Sequence, residues 1–240
     1  MAERVRIQKA IATAGLMSRR AAEDAISADR VRMNDQPVIL GDRVDVEKDL
    51  LTIDGFPIPV NPGLETHLLY KPLGVISTSS DTHGRKTVVD LVGSDKRLYP
   101  VGRLDSDSEG LILLSNDGEL TNRVTHPRYG ITKKYVALVE GAPSVDAIRL
   151  LTSGVELDDG TARASKARVI EKQGTRSLLE LVMSEGRNRE VRRMLFAVGH
   201  EVISLVRTAI GPITDRKLKP GESRLLTSEE ISRLLASGLQ

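Results

Sequence analysis

The segment from Val101 to Leu120 contains a carboxylate placed for chemistry. Its sequence, VGRLDSDSEGLILLSNDGEL, sets Asp105 two residues after Arg103, in a small polar turn that ends at Gly110. A nearby positive charge favours the ionised form of a carboxylate, which is its nucleophilic and basic form. The aliphatic run that follows, Leu111 to Leu114, predicts a buried strand directly after the turn. Asp105 is therefore a candidate nucleophile or general base.

Two plainer interpretations of this turn remain open on spacing alone. Asp105, Asp107, Glu109 and Gly110 imitate the start of a calcium loop, but the twelfth position, where such a loop has a bidentate glutamate, is Asn116. The other alternative is an exposed acidic turn without chemistry, because most carboxylates are simply solvated. Local spacing favours this second alternative, so the rest of the chain has to decide.

The composition of the 240-residue chain excludes several classes of function. Hydrophobic residues at 40% and charged residues at 28% are typical of a globular protein with one or two domains. The absence of cysteine excludes disulfides, a thiol nucleophile and cysteine-type zinc sites. The four histidines are dispersed without ligand spacing, so we expect no metal site. We find no membrane-spanning run and no apolar leader, and we expect a cytoplasmic protein without membrane association.

Arginine dominates the basic residues and forms clusters. Of 35 lysines and arginines, 24 are arginines, although the net charge is only +2. The clusters lie at Arg19-Arg20, at Arg30 with Arg32, and between residues 187 and 193. The planar guanidinium suits phosphate recognition, while a solubilising surface is the alternative. Only six aromatic residues are present, which argues against an RNA-binding sheet that stacks several bases on aromatic rings.

The first part of the chain predicts two helices and a small hairpin. Apolar residues at helical spacing indicate a helix that ends near Gly15 and a second helix capped by Ser18. Val31 and Met33 alternate with arginines, and Asn34-Asp35 predicts the turn of a hairpin. Prolines then indicate a linker, which we place at residues 61–66.

The second part, residues 67–240, mixes strands and helices without a strict βαβ rhythm. Strands are predicted at 68–77, 99–104, 111–115, 131–140, 163–170, 178–183 and 201–208. Helices are predicted at 87–92, 119–125, 144–152 and 188–198, and a terminal helix begins at the capping box Thr227 to Glu230. This pattern predicts an α+β fold with a largely antiparallel mixed sheet.

Four segments of the second part follow one another in order: LLYKPLGVISTSSDTHGRKTV, the Asp105 segment, HPRYGITKKYVALVEG and EGRNREVRRMLFAVGHEVISLVRTAIGP. Together they resemble bacterial ribosomal pseudouridine synthases of the RsuA/RluB type, and most closely the large-subunit (RluB) branch. The first part is similar to the alpha-L RNA-binding domain, named from a small-subunit ribosomal protein, through SRRAAEDAI, RVRMN and LGDRVDVEKDLLTIDG. One departure is Asp29, where that domain has glycine, and aspartate tolerates a left-handed backbone. The resemblance implies an RNA-binding domain at residues 1–60 and a catalytic domain at 67–240.

The resemblance also implies an activity and roles for particular residues. These enzymes detach uracil from ribose and reattach it through carbon 5, so they need no cofactor. Asp105 would begin glycosidic cleavage, Tyr135 would stack on the target base, and Arg192 would pair with the aspartate. Arg103 would fill the space left by the flipped uridine, and Val191 would form the floor of the pocket. Further substrate contacts are expected from Arg187 and Arg189.

The expected partner is ribosomal RNA, as 23S RNA or a pre-ribosomal particle, bound by a monomer. RNA contacts in the first domain are expected from Arg6, Lys9, Ser18, Arg19, Arg20 and Arg32. Three alternatives stay open: a 16S target, a catalytically inactive RNA-binding assembly factor, and metal-dependent RNA hydrolysis. The absence of a His or carboxylate cluster disfavours the last of these.

Overall fold

The computed structural model describes residues 4–46, 48–58 and 63–238. In these ranges no helix is both long and apolar enough to cross a membrane. The chain forms two compact units: the first includes the residues up to Glu65 with Ser94–Leu98 and Asn116–Gly118, and the second includes Thr66–Gly93, Tyr99–Ser115 and the residues from Glu119 onward. Within the predicted linker, residues 61 and 62 lie outside the described residues, and Thr66 already begins a strand.

The described residues of the first unit form two helices and six short strands. The helices are α1 (Ile7–Thr13) and α2 (Arg19–Ser27). The strands are β1 (Val5–Arg6), β2 (Val31–Met33), β3 (Gln36–Pro37), β4 (Arg43–Val44), β5 (Leu51–Ile53) and β6 (Phe56–Pro57). The order β3-β2-β5-β6 forms one antiparallel sheet, and β1 pairs with β4.

Local chemistry explains the turns and caps of this unit. The hydroxyl of Ser18 accepts a hydrogen bond from the backbone N–H of Ala21 at 3.1 Å and caps α2, as predicted. Asn34 and Asp35 both have positive φ, at 51° and 64°, which is the backbone that a two-residue hairpin turn requires. Asp29 has φ of 55°, so the left-handed conformation expected there is confirmed.

The described residues of the second unit form ten strands and four α-helices. The strands are β7 (Thr66–Lys71), β8 (Tyr99–Val101), β9 (Glu109–Ser115), β10 (Lys133–Glu140), β11 (Val155–Leu157), β12 (Gly160–Ala162), β13 (Lys166–Gln173), β14 (Arg176–Met183), β15 (Val202–Ile210) and β16 (Ser223–Leu225). The helices are α3 (Gly118–Thr125, whose first residue counts with the first unit), α4 (Val145–Ser153), α5 (Glu190–Ala197) and α6 (Ser228–Ala236).

The large sheet has the order β13-β14-β10-β15-β9-β7-β16, and β8, which lies outside this path, also pairs with β9. Its described pairings are antiparallel except that β15 runs parallel to β9. The prediction of an α+β fold with a largely antiparallel sheet is therefore confirmed. On one face, Leu120, Val124 and Leu234 from α3 and α6 pack against the buried leucines of β7 and β9.

The strand predicted at 99–104 ends at Val101, and two further elements differ more from the prediction. The strand expected to run to Ser77 ends at Lys71, because Pro72 cannot donate a strand hydrogen bond and Gly74 has φ of 79°. The helix expected at 87–92 is one 3-10 turn at Val89–Leu91. In the second unit three short strands were also missed, β11, β12 and β16, since three-residue strands carry almost no periodic signal.

Candidate active site

Asp105 lies in the turn that joins β8 to β9. Gly102, with φ of 77°, begins the turn after β8. At its other end Gly110 has φ of 108° and lies opposite Arg207 in the parallel pairing of β9 and β15. A Cβ at Gly110 would collide with the backbone of Arg207. Glycine is required here because no side chain fits between the two strands.

Hydrogen bonds hold the backbone of this turn along its length. Six consecutive carbonyl oxygens, from Arg103 to Ser108, each accept one. The donors are, in order, Arg207 Nη1 (3.5 Å), Ser77 Oγ (2.7 Å), Ser108 N (3.1 Å), Gly74 N (2.8 Å), Arg192 Nη2 (2.6 Å) and Lys71 Nζ (2.7 Å). Ser77 Oγ also accepts from the N–H of Leu104 at 3.0 Å. Asp105 is thus placed on a backbone that is fixed on both sides, as a preorganised catalytic group requires.

Two buried cations lie beneath the turn. Lys71 is fully buried and Arg207 is 4% exposed, and neither was singled out by the sequence. Lys71 donates to the carbonyls of Pro72 and Ser108, and burial lowers the pKa of its ammonium to about 8. Arg207 Nε donates to the carbonyl of Leu111 at 2.6 Å. Both side chains direct their charge at backbone carbonyls, so they support the site from below.

The pairing expected between Arg192 and Asp105 is not the one in the structure. Arg189 Nη1 lies 4.0 Å from Asp105 Oδ2, whereas Arg192 Nη2 donates to the carbonyl of Asp107 and Nε lies 3.5 Å from its carboxylate. The reason is geometric: Arg192 lies within α5, and its Nη1 is also occupied by the carbonyl of Val202 at 3.1 Å. Arg189 precedes the helix and reaches over the turn.

Arg189 adopts a strained backbone to reach this position. Its φ is 49°, in the left-handed region that side chains larger than glycine rarely adopt. The guanidinium donates to Asp107 Oδ2 at 2.8 Å. That bond, with the charge of Arg192, lowers the pKa of Asp107 below its usual value. Asp107 therefore holds both arginines in place. The sequence did not indicate this role, because Asp107 looks like any solvated carboxylate of an acidic turn.

A cavity of about 270 Å³ opens over Asp105. Its apolar walls come from Leu104, Tyr135, Met183, Val191 and Leu205. Tyr135 is 9% exposed, on β10, and Val191 is 6% exposed, on α5. Three of the predicted residues, Asp105, Tyr135 and Val191, thus meet in one cavity that suits a planar heterocycle with a carboxylate at its mouth.

Arg103 and Arg187 also line this cavity, but in different ways. Arg103 is exposed, which leaves its guanidinium accessible to a ligand. Arg187 is held by the carbonyls of Asp159, Gly160 and Thr161, at 3.3, 3.0 and 2.8 Å. Arg187 therefore fastens the β11–β12 hairpin to the cavity wall, and most donors of its guanidinium are already used in these hydrogen bonds.

Glu190 is a lining residue that the sequence did not indicate. It is 5% exposed, and burial raises the pKa of its carboxyl. Its Oε2 accepts from the backbone N–H of Arg187 at 3.2 Å, close to the start of α5. A carboxylate there stabilises the first turn of the helix. Among the described residues, no group of three His, Cys, Asp or Glu could hold a metal ion.

The residues predicted to contact RNA in the first unit are mostly at its surface. Arg6, Arg19, Arg20 and Arg32 are exposed, Ser18 caps α2, and Lys9 is half-buried. Arg19 and Arg20 occupy the first turn of α2, and Arg32 donates to the carbonyl of Asp35 at 3.3 Å.

Comparison with known proteins identifies the family. The family model for RNA pseudouridylate synthases matches residues 65–197, more than half of the chain. The chain belongs to this family. The synthase is 43% identical over 235 residues to ribosomal large subunit pseudouridine synthase B of Bacillus subtilis (strain 168), with 96% of each chain covered. It is 36% identical to the enzyme of that name from Vibrio cholerae, covering 95% of this chain and 74% of the other.

A solved structure supports the same assignment. A crystal structure of a pseudouridylate synthase superimposes with a TM-score of 0.68 and 28% identity, covering 96% of this chain and 99% of the other. The resemblance drawn from the sequence motifs is confirmed, and the synthase is an RNA-modifying isomerase.

Proposed function

We propose that the synthase converts a specific uridine of 23S ribosomal RNA to pseudouridine, with Asp105 as the group that begins glycosidic cleavage. The observation that carries this proposal is the position of Asp105, on a turn whose carbonyls from Arg103 to Ser108 each accept a hydrogen bond, in the lining of a partly apolar cavity. The choice of large-subunit RNA is supported by the similarity to two large-subunit synthases.

The reaction exchanges one bond for another within the same nucleotide. The bond from uracil N1 to ribose C1′ breaks, a bond from C5 to C1′ forms, the proton on C5 leaves, and N1 gains a proton. Asp105 either attacks C1′ or removes a proton from the ribose, and both routes need an ionised carboxylate. The exposed fraction of its side chain, 28%, leaves it reachable by a substrate.

The other residues of the cavity have complementary roles in this proposal. Tyr135 stacks on the uracil and takes part in removing the C5 proton, while Val191 and Met183 complete an apolar pocket that excludes water. Arg189 faces Asp105. Arg192 helps to position Asp105 by donating to the carbonyl of Asp107 in the same turn. Because uridine in folded RNA is stacked, it must be flipped out, at a cost of a few kcal/mol. Arg103, exposed beside the cavity, fills the vacated space.

The first unit is proposed to be the RNA-binding domain. Arg19 and Arg20 lie where the backbone N–H groups and dipole of α2 already favour an anion. Phosphate contacts there would place the protein on RNA without reading its sequence. The second unit then supplies the chemistry.

The test is the variant Asp105→Asn, which keeps the shape but loses nucleophilicity and basicity. We expect turnover on a 23S RNA fragment to fall by at least about 10²-fold, with RNA affinity nearly unchanged. The matched control is Asp158→Asn, at an exposed carboxylate outside both the turn and the cavity. Turnover near the wild-type value in Asp105→Asn would refute the assignment. Mapping pseudouridine in both ribosomal RNAs of a strain lacking the gene would identify the target.

A further inference from the structure

A second cavity also borders Asp105. It measures about 570 Å³ and includes Ser77, Thr78, Ser80 and Arg85 in its lining. It shares Arg103, Leu104, Asp105 and Arg189 with the first cavity. The two cavities therefore meet at the catalytic turn.

The two cavities differ in chemistry. Apolar side chains, among them Tyr135, Met183 and Val191, form a large part of the lining of the first one, beside charged groups such as Arg187 and Glu190. The second is lined mainly by hydroxyl groups and guanidinium groups. The hydroxyls of Ser77 and Thr78 already donate to the carbonyls of Leu104 and Ser80, so the guanidinium groups are the main donors of this second cavity. Apolar walls suit a planar base, whereas guanidinium donors suit the oxygens of a phosphate. The difference indicates that each cavity takes a different part of a nucleotide.

The position of Asp105 then fixes which way a nucleotide lies. The bond that breaks joins base to sugar, so the group that starts the cleavage must lie where the space for the base meets the space for the sugar. We propose that the second cavity binds the ribose-phosphate backbone at and beside the target uridine, and that Arg85 contacts a phosphate there. This inference rests on the proposed function and adds to it the path of the RNA strand.

Arg85 is held in place for such a contact. Its Nη2 and Nε donate to the two carboxylate oxygens of Asp81, at 2.7 and 3.3 Å. Asp81 also accepts from the backbone N–H groups of His83 and Arg85, at 3.0 and 2.8 Å. Hydrogen bonds from Arg85 are the main reason that the pKa of Asp81 falls to about 2, so the carboxylate stays ionised at neutral pH.

The pair presents its positive partner to solvent. The side chain of Arg85 is 58% exposed and that of Asp81 is 7% exposed. The described residues use the Nε and Nη2 edge of the guanidinium, which leaves Nη1 for an incoming oxygen. A phosphate approaching the cavity would therefore meet the exposed guanidinium of Arg85 before it met the covered carboxylate of Asp81.

The polar path continues beyond Arg85. A third cavity of about 550 Å³ shares Ser80, Asp81 and Arg85 with the second and adds Lys86 and Asp90. The carboxylate of Asp90 accepts from the N–H and hydroxyl of Thr87, at 2.7 and 3.0 Å. Lys86, which is exposed, adds a further cation to this polar path.

The experiment is a double-mutant cycle between Arg85 and single phosphates of the RNA. Equilibrium binding is measured with Asp105→Asn protein, which allows binding without turnover, and with the same protein carrying Arg85→Gln. The probe is a 23S RNA hairpin with one neutral methylphosphonate linkage, moved in turn through the linkages flanking the target uridine. We expect Arg85→Gln to weaken binding of unmodified RNA about 10-fold and to lower the salt slope by about one.

The coupling between Arg85→Gln and the methylphosphonate tests whether Arg85 contacts that phosphate. At one linkage the methylphosphonate should weaken binding to the parent protein but not to the Arg85→Gln protein, because the contact is already lost. Arg85→Lys should recover part of the affinity and of the salt slope, because it keeps the positive charge. The control is Arg168→Gln, an exposed arginine paired with Glu180 at 2.8 Å outside the cavities.

Two outcomes would overturn the inference. One is additivity at every linkage tested, and the other is an Arg85→Gln effect no larger than that of Arg168→Gln. Failure of the proposed function is a separate result, since it would show as unmodified uridine in the wild-type reaction. Thermal unfolding of each variant separates lost contacts from lost folding.

Discussion

The buried ammonium of Lys71 gives a prediction about stability and pH. Its pKa lies at about 8, because the folded protein strips water from it, against an ordinary value of 10.5. Below pH 8 the group is charged in both the folded and the unfolded chain. Between about pH 8 and 10.5 the unfolded chain binds the proton and the folded chain does not, so folding becomes more favourable as the pH rises.

The size of the effect follows from the pKa difference. One pKa unit corresponds to about 1.36 kcal/mol, so the full difference is worth roughly 3.4 kcal/mol above both values. At about pH 9.5 the linkage relation gives roughly 2 kcal/mol, and at about pH 7 almost nothing. Lys71→Met has no titrating group at this position. Between about pH 7 and pH 9.5 the free energy of unfolding of the wild type should therefore rise by roughly 2 kcal/mol relative to that of Lys71→Met.

The assay is urea unfolding of both proteins at several pH values in this range. The difference between them is the informative quantity, because Lys133, whose pKa burial also lowers to about 8, is present in both and cancels. Lys71→Met leaves the carbonyls of Pro72 and Ser108 without this donor, which shifts the difference by a constant and leaves its slope with pH unchanged. Lys172→Met, at an exposed lysine, is the control. A difference that stays flat or falls towards alkaline pH would refute the argument.

Two further predictions concern the turn and the first unit. Gly110→Ala should reduce turnover and destabilise the synthase by more than about 1 kcal/mol. The added methyl group collides with the backbone of Arg207, and position 110 has a positive φ that alanine rarely adopts. A variant with wild-type melting temperature and turnover would contradict this. Replacing Arg19 and Arg20 with alanine should raise the Michaelis constant and flatten its salt dependence by about one counterion per lost contact, with turnover at saturating RNA little changed. Steady-state kinetics at several salt concentrations would measure it, and an unchanged salt slope would show that these arginines are only solvated.

The sequence by itself determined the features that repeat locally or lie within one motif. The alternation of apolar residues marked most strands of the large sheet, and Ser18 and the Thr227 to Glu230 box marked the starts of α2 and α6. The motif around Asp105 indicated the family, and the family resemblance assigned Tyr135 and Val191 to the same site, where both line the cavity over Asp105. Each of these signals depends on a short stretch of chain.

Only the tertiary structure decided which charged side chain pairs with which partner in the site. The arginines at the start of α5 reach Asp107 across 82 and 85 residues, and Arg207 reaches the carbonyl of Arg103 across 104. Which arginine faces Asp105 depends on the left-handed backbone of Arg189, and no residue type at that position signals it. Lys71 gives no sign of burial, because its position after an apolar run is typical of an ordinary strand end. Charge pairing is set by side-chain distances of a few ångströms, and the sequence pattern does not contain those distances.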